Sequence, residues 1–112
     1  RLILQKDFIN LSLQFQLKIL ISEIIIRYEL NQTDLVEEKI KIIKRTYKET
    51  VNQNEREKDI IEIINKLIYC DNLNINKDLV REIKRLIDRT SSENAQNIDV
   101  INYNDWLLKQ IT

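Results

Sequence analysis

The chain has 112 residues, of which 43% are hydrophobic and 32% charged, and its 18 basic residues balance its 18 acidic ones. This size and composition are typical of one soluble globular domain, and the zero net charge argues against a nucleic-acid or anionic-membrane partner. Because the chain has no histidine, no glycine and a single cysteine, it lacks the usual general base, the phosphate-binding glycine loops and the donors of a zinc site, so we expect neither catalysis nor a cofactor.

Residues 1–30 predict one long amphipathic helix. The segment "LSLQFQLKI" (11–19) alternates like a strand, but a stretch of this length without a turn residue is far too long for one strand. Two apolar stripes run along opposite sides of the predicted helix, so it is either the central helix of a bundle or half covered by a partner. One stripe comprises Leu4, Phe8, Leu11, Phe15, Ile19, Ile26 and Leu30, and the other, the expected contact stripe, comprises Leu13, Leu17, Leu20, Ile24 and Tyr28.

The next segment, 34–70, predicts a first helix–loop–helix unit. Asp34 followed by Glu37 is typical of a helix N-terminus, and a polar stretch at 52–59 separates the two predicted helices. Apolar residues recur at helical spacing, so each helix presents one core face. The expected core residues are Val36, Ile40, Ile43, Tyr47 and Val51 in the first helix, and Ile60, Ile61, Ile64, Leu67 and Ile68 in the second.

A second unit of the same kind is predicted over 76–112. It follows a turn at 71–76 in which asparagines tolerate the backbone angles that glycine usually adopts. Asn76 is the expected N-cap, and the polar stretch 89–97 is the expected loop before a last helix that carries Trp106. Together with the first helix, the two units predict an all-α fold of about five helices in a single domain. The expected core face of the fourth helix is Leu79, Val80, Ile83, Leu86 and Ile87.

The stretch "INYNDWLL" (101–108) resembles the end of a calcium-binding EF-hand loop and the start of its exit helix. In such a loop an aliphatic residue stands at position 8, an acid at position 12 and an aromatic residue at position 13, and Ile101, Asp105 and Trp106 keep this spacing. Mainly over 76–111, the chain is therefore similar to a degenerate EF-hand. The order of a long helix and two helix–loop–helix units resembles the calmodulin-like region of calcium-dependent protein kinases.

The resemblance implies a non-catalytic, regulatory protein-binding module of the calmodulin type with lost or weak calcium binding. The loop is longer than a standard EF-hand loop and has no glycine, and the oxygen ligands of this vestigial calcium loop are expected to be Asp88, Thr90, Ser92 and Asp105. The two helix pairs are expected to form an apolar groove for an amphipathic helix, either the chain's own residues 2–30 or a helix of a protein partner. The expected groove anchors are Ile83, Ile87, Ile101, Trp106 and Ile111.

Other interpretations of the same residues stay open. With Asn102 or Asn104 as N-cap, Asp105 in the first turn and Trp106 in the core, "INYNDWLL" needs no ion. The whole chain is alternatively a structural subunit or accessory domain of a larger assembly. A third alternative, a nucleic-acid-binding module, uses the basic segment "KIKIIKR" (39–45), although flanking glutamates favour a solvated helix face. No signal-peptide or membrane-span pattern is visible, so we expect an intracellular, cytoplasmic protein.

Overall fold

The computed structural model describes residues 2–91 and 101–112, with side chains described for 12–90 and 101–112. The described residues contain no β-strand, which confirms the all-α prediction. The first predicted helix of the 34–70 unit is broken at Tyr47, so the described residues form six helices where about five were expected. The six helices are α1 (Leu2–Glu29), α2 (Thr33–Thr46), α3 (Lys48–Gln53), α4 (Glu55–Ile68), α5 (Lys77–Ser91) and α6 (Tyr103–Ile111).

The turn between α1 and α2 depends on Asn31, which has a left-handed backbone conformation with φ of 60°. Asparagine tolerates this conformation better than most residues because its short polar side chain bonds locally. The Asn31 amide donates to the Tyr28 carbonyl and the Gln32 amide to the Arg27 carbonyl, both at 3.0 Å, which satisfies the last carbonyls of α1. The chain reverses here, and α2 packs back against α1.

The first unit departs from the predicted helix–loop–helix. The polar stretch 52–59 does not form a loop, since Asn54 is the one residue of that stretch outside α3 and α4. The Asn54 side chain donates to the Thr50 carbonyl at 2.7 Å and makes no capping hydrogen bond to α4. The polar residues stay helical because Glu55 and Glu57 lie in the first turn of α4, where the helix dipole favours negative charge.

The core is centred on α4, which packs against α1, α2, α3 and α5. Apart from the half-buried Tyr47 and Ile68, the core residues predicted for the 34–70 unit are buried, and α4 adds Ile63, which is 1% exposed. The central-helix alternative for α1 is therefore wrong, because α4 occupies that place. The fully buried side chains of α4 are Ile60, Ile61, Ile63, Ile64 and Leu67.

A buried ionic cluster ties α4 to α1 and α6, and the sequence patterns did not predict it. The Glu57 carboxylate lies 3.3 Å from the Lys18 ammonium of α1 and 3.2 Å from the Arg56 guanidinium. That guanidinium stacks 4.6 Å from the ring centre of Tyr103 in α6, a cation–π contact. Glu57 is 5% exposed, so its charge depends on these two cations in place of water.

In the second unit, both predicted caps are present. The Asn76 side-chain oxygen accepts from the Leu79 amide at 3.1 Å, and the Asn102 side-chain oxygen accepts from the Asp105 amide at 3.1 Å. The predicted loop at 89–97 is wrong over its first residues, because α5 continues through Ser91. Within the described part of the chain, no helix combines the length and apolarity needed to cross a membrane.

Candidate partner-binding surface

The most apolar exposed surface of a single helix is the side of α1 that faces away from the bundle. Four large side chains, here called the outer stripe, line this side: Phe15, Ile19 and Ile26 on α1, and Leu30 directly after its last residue. Their exposed fractions are 56%, 45%, 53% and 60%. At about 100° per residue these positions fall within roughly 60° of one another, so they form a single line along the helix.

The opposite side of α1 packs into the core of the bundle. Leu17, Ile21 and Ile24 are 0% exposed, and they face α2, α3 and α4, the helices that pack on α1. A helix that is hydrophobic all round is usually buried all round. Because α1 has only one covered side within the described residues, its outer stripe lacks the protein contact that such a composition normally implies.

The charged side chains beside the outer stripe are engaged within the chain. Lys18 pairs with Glu57, and Glu23 lies 2.8 Å from Lys39 and 3.8 Å from Arg27. Glu29 accepts hydrogen bonds from the Trp106 indole at 2.7 Å and from Gln110 at 3.2 Å. The rim of the stripe therefore carries little uncompensated charge.

The predicted groove anchors do not line an open groove. Ile83 is fully buried and Trp106 is 7% exposed, while the other three are half-buried and pack against the core. The anchors are therefore not open to a separate partner, whereas their burial is compatible with the expected alternative in which the chain's own residues 2–30 occupy the groove. An apolar row at helical spacing looks the same in sequence whether it meets a partner or another part of its own chain. The anchors concerned are Ile83, Ile87, Ile101, Trp106 and Ile111.

Part of what covers those anchors is α1 itself. Of the predicted contact stripe, Leu17 and Ile24 are fully buried, and Leu13, Leu20 and Tyr28 are half-buried. The Tyr28 and Trp106 rings meet edge to face, with centroids 5.8 Å apart. Burial, and secondarily the carboxylate of Glu29, raises the pKa of Tyr28 above its ordinary value. The chain's own first helix thus meets α6 at this point.

Three of the four residues proposed for the vestigial calcium loop lie in helices. Asp88 and Thr90 lie inside α5, and Asp105 is exposed in the first turn of α6, while Ser92 falls outside the described residues. Thr90 is 2% exposed and donates to the Leu86 carbonyl at 2.7 Å. Its hydroxyl also lies 3.0 Å from the Asn104 side-chain oxygen, so the hydroxyl hydrogen has acceptors within the chain. The prediction of a calcium loop is not supported at these positions, and the EF-hand resemblance stays a prediction.

The basic segment 39–45 is largely neutralised. Lys39 pairs with Glu23, Lys41 with Glu37 at 3.3 Å and Lys44 with Glu62 at 2.9 Å, which favours the solvated-face interpretation. Hydrogen bonds from Tyr69 and then Lys41 lower the pKa of Glu37, and the same carboxylate raises the pKa of Tyr69. Glu37 and Tyr69 do not belong to the outer stripe.

A cleft of about 220 Å³ lies between α2, α3 and α4. Lys44, Lys48 and Lys58 border it, with Val51 and Ile61 as its apolar lining. In the residues that the structure describes, no three histidine, cysteine, aspartate or glutamate side chains are placed to hold a metal ion. Glu62 also lines the cleft, where its carboxylate pairs with the Lys44 ammonium at 2.9 Å.

Comparison of the chain with protein-family models, with curated proteins and with solved structures returned no match. The outer stripe is consequently interpreted from its own geometry. Sequence analysis found this stripe as a periodic pattern but assigned the contact to its opposite side. The helical period marks both stripes equally, and only the positions of α2, α3 and α4 distinguish them.

Proposed function

We propose that this chain is a non-catalytic protein-binding module and that the outer stripe of α1 is its binding surface. The observation that carries the proposal is the exposure of four large apolar side chains in one line on a long helix. At about half exposure and about 150–250 Å² per side chain, they present on the order of 400 Å² of apolar surface. Contiguous apolar patches of this size on a protein surface are often functional.

The spacing of the stripe defines the kind of partner. Its members are four, seven and four residues apart, which is the pattern by which amphipathic helices present anchors to a groove or to another helix. The partner surface is therefore expected to be an apolar helix face or helical groove. Its own rim needs few charges, since the rim of the stripe is neutralised within the chain.

The contacts of the buried carboxylate of Glu57 support the proposal that the module is non-catalytic. Glu57, the acidic side chain that the described core contains, is held by Lys18 and Arg56 and lies between helices. A general acid or base requires contact with a substrate in a cleft. Glu57 has the environment of a structural ion pair instead.

A second candidate function is a structural subunit of a larger assembly, and the neutral rim favours it. Charged rims accelerate and select transient encounters, whereas permanent interfaces are more apolar and resemble a domain core cut in half. Both candidates use the same surface. They differ in exchange rate: a subunit stays bound through repeated washing, and a regulatory module dissociates.

The test is a comparison of three immobilised proteins in an extract of the source cells: the wild type, Ile26→Lys in the outer stripe and Ile42→Lys on α2. Ile42 is 41% exposed and serves as the matched control. We expect at least one protein to be retained by the wild type and by Ile42→Lys but to be reduced at least tenfold by Ile26→Lys. Equal retention by all three proteins would contradict the proposal. Circular dichroism and Trp106 emission verify that each variant is folded.

A further inference from the structure

The residues of the outer stripe are arranged symmetrically along α1. Phe15 and Leu30 lie equally far from the midpoint between Ser22 and Glu23, and so do Ile19 and Ile26. When two such helices run antiparallel about a twofold axis through that midpoint, Phe15 of one faces Leu30 of the other. Ile19 then faces Ile26. A twofold interface requires this self-complementarity, because the same patch serves both sides.

We infer that the partner of the outer stripe is a second copy of this chain, bound through antiparallel pairing of the two α1 helices. This inference rests on the proposed function and names the occupant of the same surface. The state of the charge at the midpoint also supports a second copy.

Identical charges do not repel at the midpoint. Glu23 of each copy approaches the axis, but it already pairs with Lys39 at 2.8 Å and with Arg27 at 3.8 Å. The chain as a whole carries no net charge, so two copies have no long-range repulsion either. An identical partner is therefore electrostatically compatible with this surface.

The apolar area that each copy can bury indicates how tightly two copies associate. Burial of on the order of 400 Å² of apolar surface per copy is about half of the roughly 800 Å² per partner found in standard stable complexes. We therefore expect a reversible dimer that populates appreciably at tens of micromolar and dissociates on dilution.

The experiment is sedimentation of the purified chain from about 1 to about 500 μM, compared with Ile19→Lys and with the control Ile42→Lys. The two isoleucines are 45% and 41% exposed. The expected result is a mass that rises toward the dimer with concentration for the wild type and the control, and at least tenfold weaker association for Ile19→Lys. If Ile19→Lys does not fold, Ile26→Gln takes its place.

A wild type that remains monomeric at every concentration overturns the inference, and so does a dimer that Ile19→Lys leaves intact. These failures are distinguishable from failure of the proposed function. If the wild type stays monomeric but Ile26→Lys still reduces the capture of a different protein, only the identity of the partner is overturned. A monomer that captures nothing through the stripe overturns both.

Discussion

The outward faces of α1 and α5 differ although the two helices are built alike on their inner sides. Each buries one apolar row: Leu17, Ile21 and Ile24 in α1, and Leu79, Ile83 and Leu86 in α5. Outward, α5 presents charged residues about one turn apart, whereas α1 presents large apolar ones. The exposed outward residues are Lys77, Arg81, Lys84 and Asp88 on α5, and Phe15, Ile19, Ile26 and Leu30 on α1.

The contrast shows that folding of this bundle does not demand an apolar outward face. A solvated row serves α5, and single exposed apolar residues are common on proteins, but a line of four along α1 and its end is not accounted for by the packing of the residues that the structure describes. Binding accounts for it. The predictions below test whether the two helices differ in the way this explanation requires.

The largest expected effect concerns the ion pairs of the two helices. Glu57→Gln removes the buried carboxylate that Lys18 and Arg56 both contact, and we expect a loss of about 3–5 kcal/mol in the free energy of unfolding. The control is Glu82→Gln on α5, whose pair with Lys66 is exposed and is expected to contribute less than about 1 kcal/mol. Urea unfolding followed by Trp106 emission measures both, and equal losses would mean that the buried cluster has no special role.

The second prediction separates the two sides of α1. Ile24→Ala creates a cavity at a fully buried site and should cost about 3 kcal/mol of unfolding free energy. Ile26→Ala, at a residue that is 53% exposed, should cost less than about 1 kcal/mol in the monomer. Both are measured by urea unfolding at a protein concentration below dimer formation. A loss at Ile26 as large as that at Ile24 would show that the outer stripe is part of the core.

The third prediction concerns the asparagines at the ends of the two helices. Asn31→Ala should cost about 1 kcal/mol because alanine disfavours the left-handed conformation, whereas Asn31→Gly should be neutral or stabilising. On α5, Asn76→Ala should cost about 1 kcal/mol through loss of the cap to Leu79. Thermal unfolding of the three variants checks this. A stabilising Asn31→Ala would contradict the assigned backbone conformation.

The smallest effect is a pH dependence that α1 contributes through Tyr28. Its pKa is raised in the folded state, so the folded protein holds the proton more tightly than the unfolded chain, whose tyrosine titrates near 10.0. The corresponding stability is fully present below pH 10 and is lost as the pH rises above it. Tyr69 contributes in the same sense. Tyr28→Phe should therefore flatten the fall in unfolding free energy above pH 10, and an unchanged slope would contradict the assignment.

Sequence periodicity predicted the core where a helix has a single apolar row. The predicted core residues of α2 are buried, and so are those of α4 except the half-buried Ile68. In α5, Leu79, Ile83 and Leu86 are buried, while Val80 and Ile87 are half-buried. The caps at Asn76 and Asn102 follow from side chains that bond backbone amides. Periodicity did not predict the helical continuity at Asn54, because a polar stretch without glycine or proline forms a loop or a helix depending on its neighbours. The Glu57 cluster was also missed, since charges near a predicted loop look solvated in sequence.

For the candidate site, the sequence predicted the two apolar rows of α1 but not which of them faces outward. Both rows of α1 satisfy the helical period, and the choice between Leu17 and Ile19 as the inward residue depends on where α4 packs. Likewise, Trp106 and Ile83 have the spacing of groove anchors, but their pocket is filled by the chain itself. Periodicity identifies a face that must be covered, and tertiary packing decides what covers it.

The central claim is that another protein chain covers the outer stripe of α1. Its most direct test is a photocrosslinking benzophenone amino acid introduced in the source cells at position 19, compared with the same group in place of Lys84 on α5. The account predicts a discrete crosslinked product of higher mass from position 19, twice the chain mass if the partner is a second copy, and none from position 84. Equal products from both positions, or none from position 19, would contradict it.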